Sequence, residues 1–267
     1  MSLTKRIDQA REAFARKDLA ASAAVHQPDV IARAVEPHGG ASHQYIGDMV
    51  YGGLDGIVTT FAVVSGVSGA NLGADVILIL GLANLFADGI SMAAGAYLST
   101  KSEREYHDRE RERESWEIDH FPEGEKAEMI AIYQAKGYSP KDAEALVRIQ
   151  SQKKETWLDA MMVHELGLLP DERKPLLSAA ATLGAFLIAG AVPLLIYLLG
   201  LFAPIASPIS FPVSTVLSAV ALFALGAAKV LITERNWLKS GLEMLIVGGL
   251  AAGVAYLVGF LLAGLGA

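Results

Sequence analysis

The chain has 267 residues, 52% of them hydrophobic, and a mean hydropathy of +0.37. That is too apolar for an ordinary soluble domain of this length and indicates a multi-pass membrane protein. With no Cys and a formal net charge of -7, disulfides, thiolate zinc sites and Fe–S clusters are excluded, and no nucleic-acid partner is expected.

Residues 1–45 form a polar arm that opens on "MSLTKRIDQAREAFARKDLA", which lacks the apolar core of a signal peptide. Leu3, Ile7, Ala10 and Phe14 recur at helical spacing and predict a short amphipathic helix, after which Pro28, Pro37 and Gly39-Gly40 break the chain. The arm receives no functional assignment. Five apolar stretches follow, near 46–70, 76–98, 176–200, 212–233 and 240–264. Each is long enough to cross a hydrocarbon layer of about 30 Å. Residues 201–211, with two prolines, read as a loop. The 26 glycines suit helices packed closely in lipid.

Positive charge sets the orientation. The arm carries Lys and Arg, as do the 99–175 segment and the 234–239 link, whereas 71–75, 201–211 and the C-terminal tail carry none. By the positive-inside rule the N-terminus is cytoplasmic and the C-terminus lies outside, with Lys229 snorkelling to the cytoplasmic face. The expected fold class is an all-α membrane protein: transmembrane helices 1–2 over 46–98, a cytoplasmic helical module over 99–175, and transmembrane helices 3–5 over 176–264. Breaks at "DHFPEG" and "KGYSP" cut the module into three helices, near 99–118, 124–136 and 140–167, the first continuing the second span.

Two polar stripes lie inside the spans. Asp48 and Asp55 are two turns apart on one face, and on the second span Asn84, Asp88 and Met92 are spaced by four. A carboxylate within hydrocarbon costs about 3 kcal/mol on insertion scales, so such residues mark ion or proton paths more often than helix packing. Counting rise per residue from the cytoplasmic end places Asp55, Asp88 and Met92 at comparable depths. A thioether beside carboxylates favours a transition metal over Na⁺ or Ca²⁺.

The module carries a second set. Glu114/Glu117 and Glu125/Glu128 are Glu-x-x-Glu pairs on either side of a Pro-Gly break that lets their helices fold back. "MMVHE" adds Met161, Met162 and Glu165. Carboxylates with thioethers suit Fe²⁺ or Mn²⁺. Read by spacing alone, the Glu pairs are equally a solvated charged helix, and the methionines are more often core than ligands. Glu103, Glu105, Glu110 and Glu112 are assigned to that solvated helix, and His107, His120 and His164 to the surface.

"DGIVTTFAVVSGVSG", "GLANLFADGISMAAGAYLSTKSE", the two Glu-x-x-Glu pairs and "MMVHELGL" together resemble the vacuolar iron transporter family, over roughly residues 43–265. The resemblance implies five spans per subunit, a homodimer, and a path between the first spans of the two subunits. It implies export of cytosolic Fe²⁺, with Mn²⁺ tolerated, in exchange for protons. No cofactor is permanently bound; Fe²⁺ or Mn²⁺ is the cargo. Asp55 and Met92 match the family's membrane metal path and Asp48 a nearby acidic position; Glu114, Glu117, Glu125, Glu128, Met161, Met162 and Glu165 match its cytoplasmic ligands. Better-known eukaryotic members carry a glutamate where this chain has Asn84, and Asp88 stands one turn on.

Other readings are weaker. The same scaffold could carry Zn²⁺ or Co²⁺. A di-iron enzyme wants paired Glu-x-x-His motifs, and only Glu117 with His120 fits. A zinc protease fails because no His follows His164-Glu165 at the required spacing. A membrane-anchored metal sensor would not need carboxylates within its spans. The compact form points to a bacterial inner membrane.

Overall fold

The computed structural model describes residues 3–32, 45–171, 173–203, 207–228 and 236–264. Lys229, expected to snorkel, lies outside them. The chain divides into two units, 1–46 and 47–267.

In the first unit α1 (Leu3–Arg16) packs on α2 (Leu19–Val25), followed by α3 (Pro28–Ala32). Asp18 caps α2 by accepting from the Ala21 amide, and Arg6 donates to the Val25 carbonyl at 3.1 Å. On the expected apolar face Ala10 is half-buried, and the side chains of Leu3 and Ile7 lie outside the described residues. Phe14 is exposed beneath the Lys17 ammonium, and Ala13 is buried instead.

All but the first residue of α4 (Ile46–Gly69) belongs to the second unit, and the chain turns at 70–73 into α5 (Ala74–His120). Then come α6 (Pro122–Ala135), α7 (Pro140–Gln150), α8 (Lys154–His164) and α9 (Pro175–Gly190). A 3₁₀ turn (Val192–Leu194), α10 (Leu195–Leu199), α11 (Ser207–Ala228) and α12 (Trp237–Leu262) complete it. Among the described residues, five segments are long and apolar enough to cross a membrane: α4, the first half of α5, α9 with its 3₁₀ turn and α10, α11, and α12. The chain is an all-α membrane protein.

Glycine places α4 against its neighbours. A Cβ on Gly52 would come within 2.6 Å of the Thr182 carbonyl oxygen, and one on Gly56 would overlap the Phe186 carbonyl. Only glycine lets the α4 and α9 backbones approach this closely, the small-residue contact typical of helices in lipid. Phe61 and Val64 of α4, Ile77 and Leu85 of α5, Phe186 of α9 and Leu194 of the 3₁₀ turn form the core between the spans. Further from the module, α4 meets α12, where Gly66 and Gly69 face Ala255 and Tyr256.

One expectation changes in the spans. The loop expected over 201–211 ends earlier, because α11 already begins at Ser207. Pro208 falls in the first turn, where an absent N–H costs nothing, and Pro212 forfeits a single helical bond. The third span is not one straight helix: it tightens into the 3₁₀ turn at Pro193, whose carbonyl accepts from Ser214 at 2.6 Å.

At about 1.5 Å per residue, the 47-residue α5 is roughly 70 Å long, so one helix serves as second span and as a wall of the module. Pro122 opens α6 at a position where proline is favoured, and Ser139 caps α7. The helix expected over 140–167 is two helices. Lys153 takes an extended conformation, and α8 starts from its carbonyl. That re-aims Trp157, Leu158, Met161 and Met162 into a core with Ile118, Met129, Tyr133 and Val147. Arg111 fastens α5 to α8 through Asp159 at 2.6 Å and Glu155 at 2.7 Å.

Candidate metal centre

The fold-back at Phe121-Pro122 brings the first turn of α6 beside α5, and the end of α8 closes the third side. Glu114 of α5, Glu125 of α6 and Glu165, the C-cap of α8, each present a carboxylate oxygen, and these oxygens lie within 4.8 Å of one another. Glu114 is fully buried, Glu125 nearly so, and Glu165 is exposed. The Oε2 atoms of Glu114 and Glu125 are buried without a hydrogen-bond partner. Leaving such a group unpaired costs about 1–3 kcal/mol or more, a cost that a bound cation removes.

The electrostatics agree. Burial, then the charge of Glu165, pushes the Glu114 carboxyl up to about 7 against the restraining Arg113, with Glu117 and Glu128 adding to the rise. Burial, then the charges of Glu114 and Glu128, raises Glu125 to about 7. Glu165, though exposed as a residue, is also raised, first by the partial desolvation of its carboxylate against the module and then by Glu128. The centre holds more negative charge than its surroundings neutralise, and at neutral pH it retains protons that a divalent cation can replace.

Of the seven expected module ligands, Glu114, Glu125 and Glu165 come together. Glu117 and Glu128 lie near enough for their charges to act on that group, and Glu117 is held by Arg113. Met161 and Met162 are buried in the module core. Among the described residues no histidine belongs to the carboxylate group. His120 stacks on Trp116, and His164 packs edge-on to Tyr133.

The sequence reading missed Arg113. Its guanidinium holds Glu114 Oε1 at 2.5 Å, Glu110 Oε2 at 3.0 Å and Glu117. It grips Oε1 of Glu114 and leaves Oε2 as the unpaired oxygen, as outer-shell partners of ligating carboxylates do. The only signal was its i, i+4 relation to Glu117 within a charged run, a pattern shared by several neighbours.

At the module end of the spans, Asp48, Ser91, Met92, Thr100, Arg173 and Ser178 line a cavity of about 350 Å³. Asp48 sits in the first turn of α4, where a negative charge is favoured, and accepts from the Ser178 hydroxyl. Thr100 donates to Ser178 at 3.3 Å, so α5, α9 and α4 are joined by one hydrogen-bonded chain. Met92 therefore shares its site with Asp48. Asp55, two turns further in, is not among the cavity's lining residues; it is half-buried and within electrostatic reach of Asp88. Asn84 has a buried Nδ2 without a partner.

A family model described as the VIT family matches residues 46–260, from the start of α4 to nearly the end of α12. The chain belongs to the VIT family. Its similarity extends to a "Vacuolar iron transporter" of Toxoplasma gondii (strain ATCC 50861 / VEG), 38% identical over 96% of this chain and 88% of the relative. "Vacuolar iron transporter 1" proteins of Eucalyptus grandis and Arabidopsis thaliana are each 36% identical over 80% of this chain and 84% of theirs. In this VIT-family chain the match spans both the carboxylate centre and the polar stripes in α4 and α5.

Proposed function

We propose that this chain is a transporter, not an enzyme, that moves Fe²⁺ out of the cytosol, accepts Mn²⁺, and exchanges the metal for protons. The observation that carries the reading is the convergence of Glu114, Glu125 and Glu165 with two buried, unpartnered carboxylate oxygens. Family membership and relatives named for vacuolar iron transport support the same cargo.

In this reading Glu114, Glu125 and Glu165 capture the metal, with Glu117, Glu128, Met161 and Met162 completing its shell when the module closes on it. All-oxygen capture suits Fe²⁺ and Mn²⁺, and nearby thioether sulfur shifts preference toward the softer ion. The metal passes to Asp48 and Met92, then to Asp55 and Asp88 between the first spans of a homodimer. A water-filled path there offsets the desolvation of Asp55, which exchanges a proton for the cation. The distribution of Lys and Arg supports a cytosolic module. Inside-out membrane vesicles from cells making the protein should accumulate Fe²⁺, whereas right-side-out vesicles should not. Accumulation only in right-side-out vesicles would reverse the direction of transport.

A further inference from the structure

Arg173 lies in the linker between the carboxylate centre and α9, eight residues after Glu165. It binds carboxylates from three parts of the chain. Its Nη2 lies 2.9 Å from Glu103 on α5, its Nε and Nη2 hold Asp171 of the linker at 2.8–3.1 Å, and its Nη1 is 3.8 Å from Asp48 on α4. Its side chain is only partly exposed and lines the cavity with Asp48 and Met92. Asp48 offers its other oxygen to Ser178. Arg173 thus stands where a cation coming from the module reaches the first acidic residue of the membrane path.

We infer that Arg173 is an entrance latch, a resident cation that bridges α4, α5 and the linker and must leave Asp48 before a metal ion enters. The inference rests on the transport reading above. A fixed guanidinium opposes a divalent cation at the same carboxylate, and its several partners hold the linker across the mouth. The latch sets the threshold concentration for entry; the carboxylate centre sets capture. Glu103, read from sequence as part of a solvated helix, becomes one of the latch's anchors.

The test is the initial rate of Fe²⁺ uptake by proteoliposomes containing the full-length protein, measured against Fe²⁺ concentration. R173Q should lower KM by about threefold, the scale of one partly exposed ion pair. R173K should keep KM near the wild-type value, and E103Q should lower it by less than R173Q. Fe²⁺ affinity of the carboxylate centre, titrated under conditions without flux, should be unchanged in all three. A wild-type KM in R173Q, or a raised one, overturns the latch; if R173Q does not fold, the same result in E103Q overturns it. Absence of wild-type flux overturns the transport reading and the latch with it, whereas wild-type flux with unmoved KM values overturns the latch alone.

Discussion

Lowering the pH from about 8 to about 6 should weaken Fe²⁺ binding at the carboxylate centre about a hundredfold. Glu114 and Glu125 are both raised to about 7, chiefly by burial and then by neighbouring carboxylates. Metal ligands must be ionised, so protons compete with the cation. At pH 8 each group is about nine-tenths ionised and at pH 6 about one-tenth, and the product of the two fractions falls about 100-fold. At pH 7 each is about half protonated, so binding should release about one proton per metal from this pair. Anaerobic calorimetric titration of the detergent-solubilised protein, in two buffers of different ionisation enthalpy, measures both affinity and proton release. Glu114→Gln should weaken binding and flatten the pH dependence. An affinity constant between pH 6 and 8, with heats independent of the buffer, would refute the reasoning.

Because Glu114 and Glu125 are raised from 4.5 in the unfolded chain to about 7 when folded, they favour the fold fully below pH 4.5. That contribution is lost as pH rises through about 7, so the metal-free melting temperature should fall across this window, and added Mn²⁺ should restore it at pH 8; a flat profile would count against the burial of these groups. Asp55→Asn should abolish Fe²⁺ flux while leaving the size-exclusion elution profile unchanged from wild type, and normal flux would remove Asp55 from the path. Gly52→Ala places a Cβ 2.6 Å from the Thr182 carbonyl oxygen, and should cost about 1–3 kcal/mol by separating α4 from α9. Thermal melts in detergent check this, and an unchanged transition would mean the two helices are not held by that contact.

The spans were legible because each is a long apolar run, and length alone separates a membrane helix from a core helix. The breaks at Pro122 and at Gly137–Pro140 were legible because proline and glycine mark them. The division between α7 and α8 was not, because Ser151, Gln152 and Lys153 carry no breaker; the turn follows from burying Trp157, Leu158, Met161 and Met162. The start of α11 was missed for the opposite reason. Pro204 and Pro208 signal a break, yet a proline in the first turn of a helix, where Pro208 falls, breaks nothing.

Within the centre, Glu114 and Glu125 were candidates by spacing, but their separation from Glu112 and other solvated acids needed burial, which depends on the fold-back. Arg113 and Arg173 were invisible for a related reason. Each acts through partners brought to it by tertiary structure, Arg173 across 70 residues to Glu103 and across 125 to Asp48. In sequence both look like any surface arginine beside an acid. Asp48 and Met92 appeared on separate stripes, and only the packing of α4, α5 and α9 places them at one cavity.

The most direct measurement is Fe²⁺ uptake into proteoliposomes holding the purified protein alone, with and without an acidic lumen, while lumenal pH is followed in the same vesicles. Uptake should be driven by the acidic lumen, with lumenal protons leaving as iron enters. Iron that binds the protein but does not enter, or uptake indifferent to the gradient, would contradict proton-coupled transport.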